Sequence, residues 1–273
     1  MVVARRTRVP QLRIAESVAA ELRDRILASS GSEYHLPTQD QLVETFGVSY
    51  PSVREAIRIL ETEGLITVRR GNVGGAEVHL PDESSAAYAL GLALQGAKVT
   101  LRDLAEGLQM LEPMCAAECA RHPDRSGRIV AALTENIERS AAMLGDGVGD
   151  GVTFTHTARE FHDLMVSLTP SATIRYVVSS LTALWSAQEE AWAESLASRG
   201  DYFSEIAAKE VVKSHRRILK EISAGRPAEA ERIARVHLTA TQELFLSRFP
   251  DGVVNATSPT ARQAISSIRS RRG

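Results

Sequence analysis

The stretch "GVSYPSVREAIRIL" (residues 47–60) sets Tyr50, Arg54 and Arg58 four residues apart, with Val53, Ile57 and Leu60 on the opposite side. Residues at that spacing share one face of a helix. One side is therefore apolar, while the other shows an aromatic ring and two guanidinium groups. Such a pattern most commonly means an amphipathic helix with a solvated charged face. The sharper alternative is a helix that reads DNA, and the flanking sequence has to decide.

Upstream, "QLRIAESVAAELRDRILAS" repeats Ile14, Val18, Leu22 and Ile26 at helical spacing, which predicts a helix. In "LPTQDQLVETFG", Thr38 is placed as an N-cap with Gln41 three residues on, a capping-box pattern. Gly47 stops that short helix and Ser49 opens the next. Tyr50-Pro51 blurs the start by a residue or two, because the residue before proline avoids helical geometry. Gly64 ends the helix, and "LITVRRGNVGGAEVHL" follows as two short β-prone runs around a glycine-rich turn, which reads as a hairpin. Three helices and then a hairpin is the order of a winged helix-turn-helix.

In that motif the second helix of the pair lies in the major groove, with its N-terminal residues at base edges. Arginine suits the task because it can bond O6 and N7 of guanine together. The expected DNA contacts are Arg54, Arg58, Tyr50, Ser49 and Ser52 on this helix, with Thr38 and Gln39 at the start of the one before. The hairpin would be the wing. Its Arg69 and Arg70, with the small-residue turn that includes Gly74, suit a close approach to the backbone or minor groove.

The chain has 273 residues, enough for two domains, and a net charge of −2, which excludes a uniformly basic nucleic-acid binder. Within residues 1–80, ten arginines balance ten acidic residues, yet the arginines are grouped at Arg5, Arg6 and Arg8, at Arg54 and Arg58, and at Arg69 and Arg70. A local basic surface is enough to bind phosphates. No apolar run approaches the ~18 residues of a membrane span. The start "MVVARRTRVPQLRIAESVAA" lacks the apolar stretch of a secretory signal, so a cytoplasmic protein without a membrane partner is expected. Cys115 and Cys119 sit at helical spacing and read as packing residues, with no second pair to complete a cysteine-rich zinc site.

Beyond residue 80 the pattern is all-helical, with amphipathic runs near 84–95, 100–121, 126–144, 151–168, 172–196, 201–224 and 227–248. Short connections between such runs mean antiparallel neighbours, hence a helical bundle. The expected organisation is an arm (1–11), a winged helix-turn-helix (12–80), a linker or connecting helix (81–99), an all-α domain for effector binding and dimerisation (100–250) and a tail (251–273). The tail reads as loose, or as a last short helix around Ala261–Ile268. His162, His215 and His237 each fall mid-helix on different helices. A lone histidine there is usually a packing residue, but three in one bundle can converge on a metal. A metal-free polar pocket is the alternative.

The segment "LPTQDQLVETFGVSYPSVREAIRILETEGLITVRRG" resembles the N-terminal domain of GntR-type bacterial transcription regulators, with Arg54 at the arginine of the family's "VRE". The helical remainder is similar to the FadR subgroup and its FCD effector domain, through "EFHDLM" (160–165), "KSHRRILKEI" (213–222) and "ARVHLTATQEL" (234–244). The resemblance implies a dimeric, ligand-responsive regulator that binds double-stranded operator DNA, here read as a repressor of a catabolic operon. Effector binding would shift the placement of two reading heads.

Two departures touch the DNA side: the family often carries arginine where this chain has Tyr50 and Asp40. A carboxylate cannot donate to guanine or phosphate, so a different operator is expected. FCD domains commonly hold a divalent metal with an Asp and three His. The matching histidines are His162, His215 and His237, and the Asp position is Ala158. Three imidazoles still suit zinc or nickel and leave a position for water or an effector carboxylate. Leu108 replaces an arginine that often binds carboxylates, and Ser171 replaces a capping asparagine. Gln109, Glu112, Ala158 and Trp185 complete the expected effector pocket. An enzyme using the three histidines is the main competing reading; it lacks a visible general-base motif such as His-Glu-x-x-His. That reading also leaves the N-terminal module unexplained, and a helical interaction protein, the third reading, would need no wing and no exposed Arg54.

Overall fold

The computed structural model describes residues 11–29, 35–69, 75–144, 151–198 and 205–270. The chain divides into two units, Met1–Asp82 and Glu83–Gly273.

The first unit contains α1 (Gln11–Ala28), α2 (Gln39–Phe46), α3 (Tyr50–Thr62) and a hairpin of β1 (Ile66–Arg69) and β2 (Gly75–Val78). Its helix boundaries follow from local chemistry. The Thr38 hydroxyl accepts from the Gln41 amide and the Gln41 side chain accepts from the Thr38 amide, so both bonds of a capping box form. Gly47 takes the left-handed conformation (φ 61°) that ends α2, and Ser49 caps α3 through the Ser52 amide. Val18, Leu22 and Ile26 of α1 pack on Leu42 of α2 and on Val53, Ala56, Ile57 and Leu60 of α3. Each buried Val, Leu or Ile of this set stabilises the fold by about 1.5–3 kcal/mol. Because α3 spends its apolar stripe on this core, Tyr50, Arg54 and Arg58 remain exposed. The antiparallel strands pair Ile66 with Val78 and Arg69 with Gly75. The unit is a winged helix-turn-helix.

The second unit is all-helical: α4 (Glu83–Gly96), α5 (Leu101–Arg121), α6 (Val130–Ala142), α7 (Gly151–Ser167), α8 (Ala172–Ser198), α9 (Glu205–Ser223), α10 (Pro227–Leu246) and α11 (Pro259–Ser270). A π-helical turn, Arg125–Ile129, leads into α6. Two apolar clusters share α5 and α10. One joins Cys115 and Cys119 to Leu133, Phe154, Phe161, Met165, Val212 and Ile218. The other joins Leu104 and Leu108 to Leu184, Trp185, Leu238, Phe245 and Ile265. The cysteines are buried and free, as packing residues should be. Pro113 lies inside α5 and cannot donate to the Gln109 carbonyl one turn back. Arg235 of α10 donates to that carbonyl instead, which repairs the helix and binds α5 to α10.

The connecting segment and the tail both dock on the bundle. Residues 83–96 form α4, the connecting helix expected near 84–95, and it packs on α8 and α11. A side chain at Gly91 would stand 2.6 Å from Ala256 Cβ and 2.8 Å from a Leu184 methyl, so glycine is what allows this close approach. Of the two readings of the tail, the last helix is the one observed, as α11. Leu101 donates to the Gly252 carbonyl (2.8 Å) and Val254 to the Val99 carbonyl (2.9 Å), while the Gln95 side chain accepts from Ala256. α11 then buries Ala261 and Ile265 against the bundle. Among the described residues no helix is long and apolar enough to cross a membrane.

Candidate DNA interface and metal centre

The exposed face of α3 carries the side chains expected to meet DNA, with different degrees of freedom. Arg54 is exposed and has no bonding partner among the described residues. Arg58 is held by Glu55 on its own helix, at 2.8 and 3.1 Å, which neutralises part of its charge. Tyr50 donates its hydroxyl proton to Asp40 across the gap between α3 and α2, at 3.0 Å. That bond, with the charge of Asp40, raises the pKa of the phenol above its ordinary value. Thr38 is exposed but committed to the capping box, and Gln39 is exposed beside it.

Ser52 is a correction. It shares the stripe of Ala56 and Leu60, is buried at 2% exposure and lies 3.0 Å from the Ser49 hydroxyl, so it cannot reach DNA. Ser49 is exposed, with its hydroxyl engaged in the cap. Arg69 ends β1, but its side chain lies outside the described residues, as do Arg70 and Gly74.

In the helical unit, α7, α9 and α10 bring His162, His215 and His237 together in a buried cluster. Their Nε2 atoms stand 3.1, 3.2 and 3.3 Å apart, and a point near the centre of such a triangle is about 2 Å from each, the length of a Zn–N bond (~2.0–2.1 Å). Phe161 stacks on the His215 ring at 4.0 Å and fixes its plane. Nδ1 of His162 donates to the buried carboxylate of Glu112, which leaves the Nε2 lone pair facing the centre.

Glu112 also accepts from Arg159 at 3.2 Å, and the other end of that guanidinium lies 3.9 Å from Glu189. Burial works against the Glu112 charge, but the hydrogen bond from His162 and the charge and hydrogen bond of Arg159 outweigh it and hold the carboxyl at about 2. Burial above all, and then the cost of a second positive charge beside His162, lowers His237 to about 3. Burial and the charges of the other two histidines push His215 well below its usual value. Both rings are therefore neutral near pH 7, the form that binds metals. The donor set fits a divalent ion. Ala158, one turn before His162, supplies no fourth ligand and leaves that side of the cluster to a cavity of about 340 Å³.

Phe154, Trp192, Val211, Ile233 and Phe245 make the cavity wall mostly apolar, and its charged and imidazole groups are Arg159, Arg217, Glu189, Glu210 and the three histidines. Three expected pocket residues lie elsewhere. Gln109 donates to Gln242 at 2.9 Å and does not line the cavity. Glu112 stands behind His162 as its support, not on the wall. Trp185 is fully buried in the second core, edge-on to Phe245 at 5.1 Å. Trp192, seven residues on, also meets Phe245 edge-on, at 5.8 Å, and lines the cavity. Ala158 does line it. Sequence reasoning missed Arg159. The available signal was an arginine three residues before His162, a spacing that makes the two neighbours on the surface of one helix.

Comparison with known proteins agrees with both halves. The profile of "Bacterial regulatory proteins, gntR family" matches residues 14–74, and that of the "FCD domain" matches residues 103–240. The chain is 23% identical over 222 residues to the HTH-type transcriptional regulator LutR of Bacillus subtilis, across 80% of this chain and 94% of that protein. The solved structure of Streptococcus agalactiae GntR has the same fold, with a TM-score of 0.61 and 19% identity over 84% of this chain and 99% of that one. With the FCD match alone spanning half of its length, the chain belongs to the GntR family of bacterial transcription regulators, a DNA-binding winged helix-turn-helix followed by an FCD effector domain.

Proposed function

We propose that the protein is a homodimeric repressor of a catabolic operon, released by a small carboxylate that binds in the helical unit beside a zinc or nickel ion. The observation that carries this reading is the convergence of three imidazole nitrogens on an apolar cavity that also receives Arg159. An ion held by three histidines would offer an open coordination position to an oxyanion. Arg159, although paired with Glu112, keeps a buried Nε without a hydrogen-bond partner among the described residues, a donor for an oxyanion. The apolar wall favours an effector with an apolar body, because a hydroxyl-rich ligand would lose hydrogen bonds to water without replacement.

Homodimerisation fits the need of helix-turn-helix proteins to hold two symmetric half-sites. A protein seated on its operator excludes others from it, which makes repression the direct outcome. The effector then lowers operator affinity by its preference for the released state, typically 5–150-fold.

The test uses full-length protein purified without added metal, analysed for zinc and nickel before and after dialysis against each. Thermal melting is then followed with benzoate and hexanoate as probes, with and without chelator. The expected result is a near-stoichiometric ion and stabilisation by at least one probe that disappears on chelation and in Arg159→Gln. Absence of metal after both dialyses would overturn the metal centre. Stabilisation that survives both chelation and Arg159→Gln would overturn the anion site.

A further inference from the structure

We propose that Tyr50 and Asp40 act together as a two-acceptor reading head that selects a cytosine in each operator half-site. This rests on the DNA-reading role of α3 and deepens it. Tyr50 is the first residue of α3 and Asp40 lies in the first turn of α2, both exposed, so the pair sits at the helix ends that a helix-turn-helix presents to DNA.

The bond between them decides what they can read. A phenol has one proton, and here it points at Asp40 Oδ1. The tyrosine oxygen is left with lone pairs only, and an ionised carboxylate accepts and never donates. Asp40 Oδ2 has no partner among the described residues. The raised pKa of the phenol keeps that proton in place at neutral pH. The pair therefore offers acceptors and no donor.

The major groove then discriminates. Guanine presents two acceptors, N7 and O6, and thymine presents O4; all three repel this head. Adenine offers its N6 amino group but sets the N7 acceptor beside it. Cytosine offers the N4 amino group with no acceptor of its own alongside, and is the base that fits. An arginine at either position would choose guanine instead. The hydrogen bond also holds the tyrosine ring in place before DNA arrives, so less side-chain freedom is lost on binding. Asp40 carries a further consequence: its charge repels phosphates on any sequence, which lowers non-specific affinity and widens the margin for the operator.

The experiment is selection of bound sites from a random double-stranded library by the full-length wild type, Tyr50→Phe, Asp40→Asn and Arg54→Ala. Competition binding on operators with each base at the selected position follows. Wild type should enrich a cytosine at one position of each half-site, apart from the base pair whose preference depends on Arg54. Tyr50→Phe should reduce that cytosine preference by roughly 5- to 100-fold, the range of one good base contact, and leave the Arg54-dependent preference intact. Asp40→Asn, which gains an amide donor beside its acceptor, should move the preference toward adenine. Both positions are exposed, so unchanged melting curves would show that the variants fold. The same base at that position in all proteins, or guanine there in wild type, overturns the two-acceptor head. A wild type that enriches no sequence overturns the DNA-reading role itself, and the two failures are thereby distinguished.

Discussion

Glu112 accepts a hydrogen bond from Nδ1 of His162 and, through that proton, aims Nε2 of the same ring at His215 and His237. The carboxylate comes from α5, the ring from α7, and the other two histidines from α9 and α10. The site is thus prepared by four helices, with a buried charge at its back that Arg159 balances and His162 hydrogen-bonds.

Glu112→Gln removes the charge and keeps the shape. Metal affinity should fall by about 10- to 100-fold, the usual effect of losing a carboxylate behind a ligating histidine. Competition with a chromophoric chelator measures this. Unchanged affinity would mean that Glu112 is a packing charge with no part in the site.

Ala158→Asp places a carboxylate one turn before His162 on the same face, at the edge of the cavity. Zinc should bind more tightly and leave more slowly, because a charged fourth ligand joins three neutral ones. The same substitution fills the position open to an effector, so stabilisation by a carboxylate probe should weaken. Faster metal loss from this variant would contradict the placement.

Much of this was legible from local pattern. The capping box at Thr38 and Gln41, the stop at Gly47 and the inward stripe of α3 depend on residues a few positions apart, so the sequence displays them directly. The three histidines stood out because each lies mid-helix in a separate amphipathic run. What stayed hidden depends on contacts between distant segments. Whether Trp185 or Trp192 faces the cavity is set by where Phe245 and α5 meet α8, and no periodicity within α8 encodes that. The docking of α11 likewise depends on the bonds of Gly252 and Val254 to the chain around Val99–Leu101, which are about 150 residues away in sequence. Ser52 looked like a contact by its place near the helix start, but its stripe is the buried one.

The cysteines provide a pH test. Burial pushes Cys115 and Cys119 up to about 12 from an ordinary 9.0. In the window from about 9 to 12 the unfolded chain has lost these protons while the folded chain keeps them, so stability falls as pH rises through it. Below about pH 8.5 this contribution is fully present. Iodoacetamide at pH 8 should leave the native protein unlabelled and modify both thiols once it unfolds. Rapid labelling of the native state would contradict their burial.

Arg58→Ala should cost less operator affinity than Arg54→Ala, because Arg58 already shares its charge with Glu55. Glu55→Gln should free Arg58 and raise affinity for all sequences alike, steepening the salt dependence by the gain of a phosphate contact. Titrations at several salt concentrations separate this from a base contact. Equal losses in the two arginine variants would contradict the assigned division of labour.

The central claim is that α3 reads sequence through its exposed face, and Arg54 is the freest side chain on it. The direct measurement is binding of the full-length wild type and Arg54→Ala to the selected operator and to operators changed at single base pairs. The account predicts a loss of roughly 1–3 kcal/mol on the operator, with discrimination relaxed at one base pair of each half-site and kept at the others. Unchanged affinity and selectivity in Arg54→Ala would contradict it.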